Sequence, residues 1–361
     1  MNGKILFFKN DFVAKENQFF KFVGLKQFAP KDFLIMDLRN AITKGISGVS
    51  FYRLLENAEG VDYLYRNQNK EYLALCRRFC DYAKKFDALV MFDYNFIHPN
   101  ILMSDLKKLT KIFSFVDDPY STYSRGLNYS QFFDGSIYIS PTYLDQISMR
   151  KFLLSSNNKN IYWMPLVKPD LKKIEFQELI ERKKNYLFYV GAPTYKKYDL
   201  LRSSYKVCKE KGIDFKLYGN WGIFGLQGFY APLFKETIFL KRVKKIKTND
   251  YSELHLNGLA GLNMHCSGFD SESGNMRTYE LASHGCISIS FQKKENEKIF
   301  PSETGIYLNH PEELGPVWEE VSKSSNKFKE IVRERYEFFW NNYSPELLYE
   351  RLFDWIMSLK K

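Results

Sequence analysis

The feature that most constrains the fold is a repeated alternation of short apolar segments with longer amphipathic segments. The short segments predict β-strands at residues 4–8, 33–36, 88–92, 112–116, 135–139, 161–164, 186–190, 215–218, 258–264, 286–291 and 305–308. Several of these are continuous apolar runs, which is typical of strands buried on both faces of a sheet. Helical patterns lie between the strands, as at 72–85, 198–211 and 276–284. The alternation predicts parallel sheets covered by helices.

The alternation restarts once, after a segment rich in proline and lysine at 164–173. A chain of 361 residues also suits two domains better than one. We therefore expect an α/β protein with two facing, doubly wound, Rossmann-like domains and a cleft between them, at residues 1–168 and 169–340. A C-terminal helix within 341–361, opened by Ser344-Pro345-Glu346, is expected to cross back to the first domain.

Composition narrows the class of protein but does not choose its partner. The chain is 45% hydrophobic and 26% charged, which excludes disorder, collagen and coiled coil as descriptions of the whole chain. A net charge of +11 favours an anionic partner, which is a nucleotide, a nucleic acid or a membrane surface. Five of the seven residues at 241–247 are basic. That cluster fits DNA phosphates, an anionic membrane or a solvated helix face.

Targeting and metal signatures are missing from the sequence. The N-terminal apolar run of four residues is too short for a signal peptide, and no segment approaches the roughly 20 apolar residues that span a bilayer. Five cysteines without a framework spacing predict a reducing compartment, so we expect a cytoplasmic protein, either free or at the inner face of the membrane. The histidines are scattered, and we expect no metal site. The phosphate-loop motif of ATPases and the Gly-x-Gly-x-x-Gly motif of dinucleotide oxidoreductases do not occur after a strand.

The most informative segment, residues 261–285, reads as a buried strand, a polar loop and the start of a helix. A helix N-terminus presents unpaired N–H groups and a positive dipole end, which together bind phosphate. Arg277 in the first turn can add a charge-assisted contact to a diphosphate, and Glu280 on the same face can accept both hydroxyls of a ribose. The alternative is a solvent-exposed Arg–Glu pair on a surface helix. The other candidate donor residues here are His265, Glu272, Gly274, Asn275 and Met276.

Glycine turns follow the first two strands of the second series. Gly191 allows a ligand to approach the backbone closely, and Gly219 repeats the pattern after the next strand. Either glycine can instead serve only as a structural turn. The neighbouring candidates for donor binding are Thr194, Lys196, Lys197 and Asn220.

In the first domain, Asp117 and Asp118 follow the strand at 112–116 directly. A carboxylate at a strand end that faces the cleft can act as a general base, although an Asp-Pro pair also favours a turn. A second junction between loop and helix supplies acceptor-side candidates, for which a plain helix start is the alternative. These candidates are Gly48, Tyr52 and Arg53.

The order of these motifs resembles that of GT-B glycosyltransferases, and most of all the CgeB-like (YkvP-like) group. The residues that carry the resemblance are Leu262-Asn263, the Asn275-x-Arg277-x-x-Glu280 pattern and Gly285-Cys286, and it is specific over about residues 186–315. The resemblance implies sugar transfer from a nucleotide-diphosphate sugar, with a UDP-sugar favoured and no cofactor or metal required. The implied acceptor is a glycan, a lipid-linked glycan or a protein in bacterial surface-glycan synthesis.

The layout is also similar to that of the DNA β-glucosyltransferases of T-even phages. There, a base follows a Phe-x-Asp strand end, which Asp117 matches, and an Arg-x-x-Glu helix holds UDP, which Arg277 and Glu280 match. An alternative function is therefore transfer to a hydroxymethylated base in DNA, and a second is nucleotide-sugar binding without catalysis. Lys196 and Lys197 stand where that family has arginines. The Glu272 and Glu280 spacing is shared with retaining enzymes, but we favour inversion with Asp117 as base.

Overall fold

A computed structural model describes the chain at 5–8, 58–92, 97–106, 110–116, 133–138, 160–165, 167, 171–191, 195–219, 248–264, 276–291, 299–323 and 326–359. The chain forms two compact units. The first contains Met1–Asp170 together with Pro345–Lys361, and the second contains Leu171–Ser344. The sequence predicts domain boundaries at 168/169 and 340/341. That each of these domains folds independently stays a prediction.

The first unit is built on a parallel sheet. Its strands lie in the order β1-β2-β3-β4-β5, and each neighbouring pair runs parallel. They are β1 (Ile5–Phe8), β2 (Ala88–Phe92), β3 (Lys111–Val116), β4 (Gly135–Tyr138) and β5 (Ile161–Trp163). Its described helices before the last one are α1 (Ala58–Arg66), α2 (Lys70–Ala83) and α3 (Pro99–Asp105).

Helix α2 shows how the sequence forms and packs a helix in this unit. Asn69 caps it by accepting a hydrogen bond from the Tyr72 backbone N–H at 2.9 Å, which satisfies a donor that has no partner within the helix. The apolar face of α2 is buried in the core with strands β2 and β3, and Tyr72 and Phe79 are at most 1% exposed. The Tyr72 hydroxyl accepts a hydrogen bond from the His98 backbone N–H, which ties α2 to the start of α3.

The C-terminal helix belongs to the first unit, as predicted from the sequence. This helix, α10 (Pro345–Ser358), places the Trp355 ring 5.4 Å from the ring of Phe113 on β3 and 4.9 Å from that of Tyr162 on β5. The Lys111 ammonium also donates to the Ile356 carbonyl at 3.2 Å. The last helix therefore returns to the sheet on which the chain began.

The second unit contains another wholly parallel sheet, in the order β10-β9-β8-β6-β7. Its strands are β6 (Lys184–Val190), β7 (Phe215–Tyr218), β8 (Gly258–Asn263), β9 (Ile287–Phe291) and β10 (Ile306–Leu308). Its described helices are α4 (Phe176–Glu181), α5 (Tyr195–Glu210), α6 (Thr248–Asn257), α7 (Met276–Ser283), α8 (Leu314–Ser322) and α9 (Asn326–Asn342), with 3₁₀ turns at Ser302–Thr304 and Pro311–Glu313.

The strand order of this second sheet places a topological switch point between β6 and β8. From β6 the chain moves to β7 on one side, and then returns to β8 on the other side of β6. Connections that leave neighbouring strands in opposite directions open a crevice at the carboxyl ends of those strands, where doubly wound sheets bind their ligands. The carboxyl ends of β6 and β8 are therefore where a ligand site is expected.

The predicted strands agree with the structure to within two residues at each end wherever the chain is described. The segment at 33–36 lies outside the described residues. The prediction of strands buried on both faces is confirmed for β9, in which every residue is buried, and for the last five residues of β6. None of the helices in the described parts of the chain combines the length and the apolar character that crossing a membrane requires.

Candidate functional site

Gly191 directly follows the last residue of β6, at the switch point. Its backbone N–H donates to the Tyr218 carbonyl of β7 at 3.0 Å, and its φ of +153° is one that residues with a side chain rarely adopt. A Cβ at this position would lie 2.8 Å from Nη2 of Arg277 and 3.0 Å from the Tyr189 hydroxyl. The backbone conformation therefore favours glycine, and a Cβ at this position would displace the ends of the Arg277 and Tyr189 side chains.

Arg277 lies in the first turn of α7 and reaches across to the end of β6. Its guanidinium carbon is 4.6 Å from the centre of the Tyr189 ring, a cation–π contact that holds the planar group in place. Its Nε is buried and has no hydrogen-bond partner among the described residues. A guanidinium is always charged and carries five N–H donors, so Arg277 presents both charge and hydrogen-bonding capacity beside Gly191.

Glu280 lies one turn further along α7 and is 2% exposed. Its Oε2 accepts a hydrogen bond from the Tyr251 hydroxyl at 2.5 Å, and Nε2 of the fully buried His255 is 3.9 Å from the same oxygen. Both partners come from α6. The alternative of a solvent-exposed Arg–Glu pair on a surface helix therefore does not hold, because the carboxylate is enclosed and held by a neighbouring helix.

Two features bring α7 close to the sheet. The amide of Asn263, the last residue of β8, donates to the Thr278 hydroxyl at 2.8 Å, and both side chains are buried. Gly261 lets the helix pack directly on β8, since a Cβ there would lie 2.3 Å from Cδ2 of Leu281. These contacts fix where the first turn of α7, and with it Arg277, lies relative to the strand ends.

A buried polar network continues beyond Glu280. The Lys183 ammonium donates to the carbonyls of His255 and His284, at 3.0 and 2.7 Å, and burial lowers its pKa. Burial, followed by the nearby His255, lowers the pKa of His284 to about 3, so this ring is neutral at physiological pH. The Cys286 thiol donates to the His255 carbonyl at 3.1 Å. The network joins α6, α7 and the start of β9 in one hydrogen-bonded unit.

The structure brings together some of the residues predicted from the sequence. Gly191 and Arg277 meet, and Gly219 follows the neighbouring strand β7. Met276 opens α7 and is 38% exposed, and Lys197 lies in the first turn of α5 with a partly exposed side chain. Lys196 lies on α5 with a side chain outside the described residues. The other predicted residues also lie outside them: Gly48, Tyr52, Arg53, Asp117, Asp118, Thr194, Asn220, His265, Glu272, Gly274 and Asn275.

The sequence-based prediction misses three residues of the site, namely Tyr189, Tyr251 and His255. Tyr189 stands out in the sequence only as part of a buried strand. Tyr251 and His255 are four residues apart on α6, a spacing that places them on one helical face, and this is the signal that the sequence offers. Across the described stretches, no group of three or more histidine, cysteine, aspartate or glutamate residues is arranged to hold a metal ion.

No protein-family model and no curated protein matches the sequence. Solved structures do match. A mutant of S. aureus TarM bound to fondaparinux, α-GlcNAc-glycerol and UDP is 14% identical with a TM-score of 0.52, and the match covers 79% of this chain and 59% of TarM. Anabaena HepE bound to UDP and glucose is 12% identical with a TM-score of 0.55, covering 79% of this chain and 82% of HepE.

A third match is an α-glucosyltransferase bound to UDP and a 13-mer DNA containing an HMU base. It is 9% identical with a TM-score of 0.56, and the match covers 78% of this chain and 83% of that one. At these identities the matches show the fold alone. The predicted GT-B architecture of two Rossmann-like, parallel-sheet units is confirmed, whereas the resemblance to the CgeB-like group is not. The DNA-bound match is an α-glucosyltransferase, whereas the sequence motifs resemble those of DNA β-glucosyltransferases.

Proposed function

We propose that the protein is a glycosyltransferase that moves a sugar from a UDP-sugar to an acceptor hydroxyl. The observation that carries the proposal is the meeting of Gly191, Arg277 and the N-terminus of α7 at the switch point of the second sheet. Together they supply a close backbone approach, a fixed positive charge and a helix-dipole end, which suit a diphosphate. In support, the TarM, HepE and α-glucosyltransferase structures described above each contain UDP.

In this proposal Arg277 and Glu280 bind different parts of the donor. Arg277 contacts the diphosphate and offsets the charge that develops on it as the sugar leaves. Glu280 accepts hydrogen bonds from the ribose hydroxyls. It already accepts one from a hydroxyl, that of Tyr251, and a carboxylate has about four acceptor sites, so it can serve a ligand as well. The other residues proposed for the donor side are Thr194, Lys196, Lys197, Gly219, Asn220, His265, Glu272, Gly274, Asn275 and Met276.

The proposed reaction joins the acceptor oxygen to the anomeric carbon of the sugar. The bond between that carbon and the β-phosphate oxygen breaks, and UDP leaves with the bonding electron pair. Asp117, with Asp118 beside it in sequence, is proposed to take the acceptor proton, and Gly48, Tyr52 and Arg53 to contact the acceptor. We propose that Arg277 and the helix terminus, rather than a metal ion, offset the diphosphate charge, and retention of activity in EDTA tests this point.

The proposed acceptor is a glycan, a lipid-linked glycan or a protein, with the reaction on the cytoplasmic side of the membrane. In support, TarM was solved with a glycosylated glycerol and HepE with glucose. Transfer to DNA would show a steep fall of acceptor binding with salt, because bound phosphates release counterions. A neutral glycan acceptor would show no such dependence. A donor-hydrolysis screen across UDP-, GDP- and CMP-sugars identifies the nucleotide and excludes a binding protein without catalysis.

The decisive variant for the donor site is Arg277→Ala. Loss of a charge-assisted contact of about 1.5–3 kcal/mol should weaken UDP binding by about 10- to 100-fold in calorimetry. Arg333→Ala is a matched control, because Arg333 lies 5.0 Å above the ring of Phe176 in the same unit but away from the switch point.

Asp117→Asn should reduce turnover with UDP binding retained. Normal transfer by both Arg277→Ala and Asp117→Asn would overturn the site assignment.

A further inference from the structure

A hydrogen bond between Tyr251 and Glu280 joins helices α6 and α7. The Tyr251 hydroxyl donates to Oε2 of Glu280 at 2.5 Å, and His255 on the same face of α6 is 3.9 Å from that oxygen. Burial and the neighbouring Glu280 carboxylate both raise the pKa of Tyr251, so the phenol keeps its proton and acts as the donor. The direction of the hydrogen bond is therefore fixed, with the Tyr251 hydroxyl as donor and the Glu280 carboxylate as acceptor.

The surroundings of this pair restrict how the carboxylate can rotate. The Tyr251 ring packs against the cluster of Phe188, Leu254 and Leu281, and it lies 4.6 Å from the His255 ring. His255 is itself held by a hydrogen bond from Nδ1 to the Tyr251 carbonyl at 2.9 Å. The Tyr251 side chain, which donates to Glu280, is thus held in place by packed hydrophobic side chains and by the His255 ring. A carboxylate bonded in this way keeps one orientation instead of several.

From this geometry we infer that Tyr251 is a positioning residue that orients Glu280 toward the ribose and so makes the site select ribonucleotide over 2′-deoxyribonucleotide donors. The inference rests on the proposed function, since it assumes that Glu280 accepts ribose hydroxyls. Selection follows because a carboxylate in one fixed orientation can accept a hydrogen bond from each hydroxyl of the ribose diol, whereas a 2′-deoxyribose offers it only one. A ligand without the 2′-hydroxyl leaves an acceptor of the buried carboxylate unsatisfied, which costs affinity.

The test measures the ratio of dissociation constants for 2′-deoxy-UDP and UDP by calorimetry. We expect wild-type protein to favour UDP by about 10- to 100-fold, because one hydrogen bond to a charged group is lost. Tyr251→Phe removes only the hydroxyl and keeps the ring, and the ratio should fall to about threefold or less. A change in overall stability without a change in this ratio would assign Tyr251 a merely structural role and overturn the inference.

Tyr186→Phe is the matched control. The hydroxyl of the buried Tyr186 donates to the Leu254 carbonyl of the same helix α6 at 2.9 Å, rather than to the Glu280 carboxylate. The variant therefore loses a comparable buried hydrogen bond, and it should keep the wild-type ratio. An equal fall of the ratio in Tyr186→Phe and Tyr251→Phe would overturn the inference, because general loosening of α6 would then explain both.

A second variant keeps the test decisive if Tyr251→Phe folds poorly. Glu280→Gln retains the size of the side chain but removes its charge, and it should lose the preference for UDP with Tyr251 intact. Adding Tyr251→Phe to Glu280→Gln should change the ratio no further, because the two residues act through one contact. Failure of wild-type protein to bind UDP at all would overturn the proposed function itself, an outcome distinct from UDP binding with an unaltered ratio in Tyr251→Phe.

Discussion

Substitution of Gly191 by alanine tests whether the end of β6 and Arg277 form one site. The φ of +153° at this position makes any Cβ unfavourable, at a cost of about 1–3 kcal/mol. The added Cβ would also lie 2.8 Å from Nη2 of Arg277, well inside the roughly 3.5 Å of an ordinary non-bonded contact. Because the backbone cannot yield without breaking the bond to the Tyr218 carbonyl, the guanidinium must move from its place over Tyr189.

We expect Gly191→Ala to lower the free energy of unfolding by about 1–3 kcal/mol and to weaken UDP binding by about tenfold or more. Urea unfolding measures the first quantity and calorimetry the second. Gly212→Ala is the control, since Gly212 also has a positive φ, of +68°, but no atom of the described residues lies within 4 Å of the position that its Cβ would take. Gly212→Ala should lower the free energy of unfolding, because of its positive φ, but should bind UDP with wild-type affinity.

The reasoning would be refuted if Gly191→Ala bound UDP as tightly as wild-type protein while losing stability. It would also be refuted if Gly212→Ala weakened binding to the same degree, because backbone strain alone would then account for the effect. In an Arg277→Ala background, Gly191→Ala should weaken UDP binding less than it does in the wild-type background, since the guanidinium that it displaces is already gone.

Two further predictions concern the packing of α7 on the sheet and the titration of His284, the residue that follows this helix. Gly261→Ala should lower the free energy of unfolding by about 1–3 kcal/mol, because its Cβ would lie 2.3 Å from Cδ2 of Leu281, and an unchanged urea midpoint would contradict the packing described above. His284, whose pKa is lowered to about 3 by burial and then by His255, confers stability that is complete above its ordinary pKa of 6.5 and is lost as the pH falls toward 3. The decline should reach about 1.4 kcal/mol per pH unit, and His284→Asn should flatten it between pH 6.5 and 5 in urea titrations.

Strands were predictable from the sequence where burial on both faces of the sheet requires a continuous run of apolar residues. The last five residues of β6 form a continuous apolar run and are all buried, and this run predicts the C-terminal end of the strand at Val190. The predicted start of β6 is two residues late, because Lys184 and Asn185 are exposed at the end of the strand and carry no apolar signal. Sequence patterns therefore locate the buried part of a strand better than its ends.

The contact between Gly191 and Arg277 was not predictable in the same way. The sequence predicts each residue separately as a donor-site candidate. Their contact, however, depends on β8 pairing with β6, and the order of strands in a sheet cannot be read from the sequence of any one strand. Tyr251 escapes prediction for a related reason. Its importance comes from Glu280, which lies on a different helix, and nothing near Tyr251 along the chain indicates that a buried carboxylate will accept its hydrogen bond.

Arg277 and Glu280 lie on one face of α7, yet the structure gives them opposite environments. Arg277 is partly exposed at the strand ends and is held by the face of an aromatic ring, and its Nε has no hydrogen-bond partner among the described residues. Glu280 is enclosed and is held by a hydroxyl donor. A diphosphate presents several equivalent oxygens, so charge matters more for its recognition than one fixed angle. A ribose diol has two hydroxyls at a fixed spacing, so its recognition requires an oriented acceptor. The helix therefore supplies a charge where charge suffices and a positioned carboxylate where direction is needed.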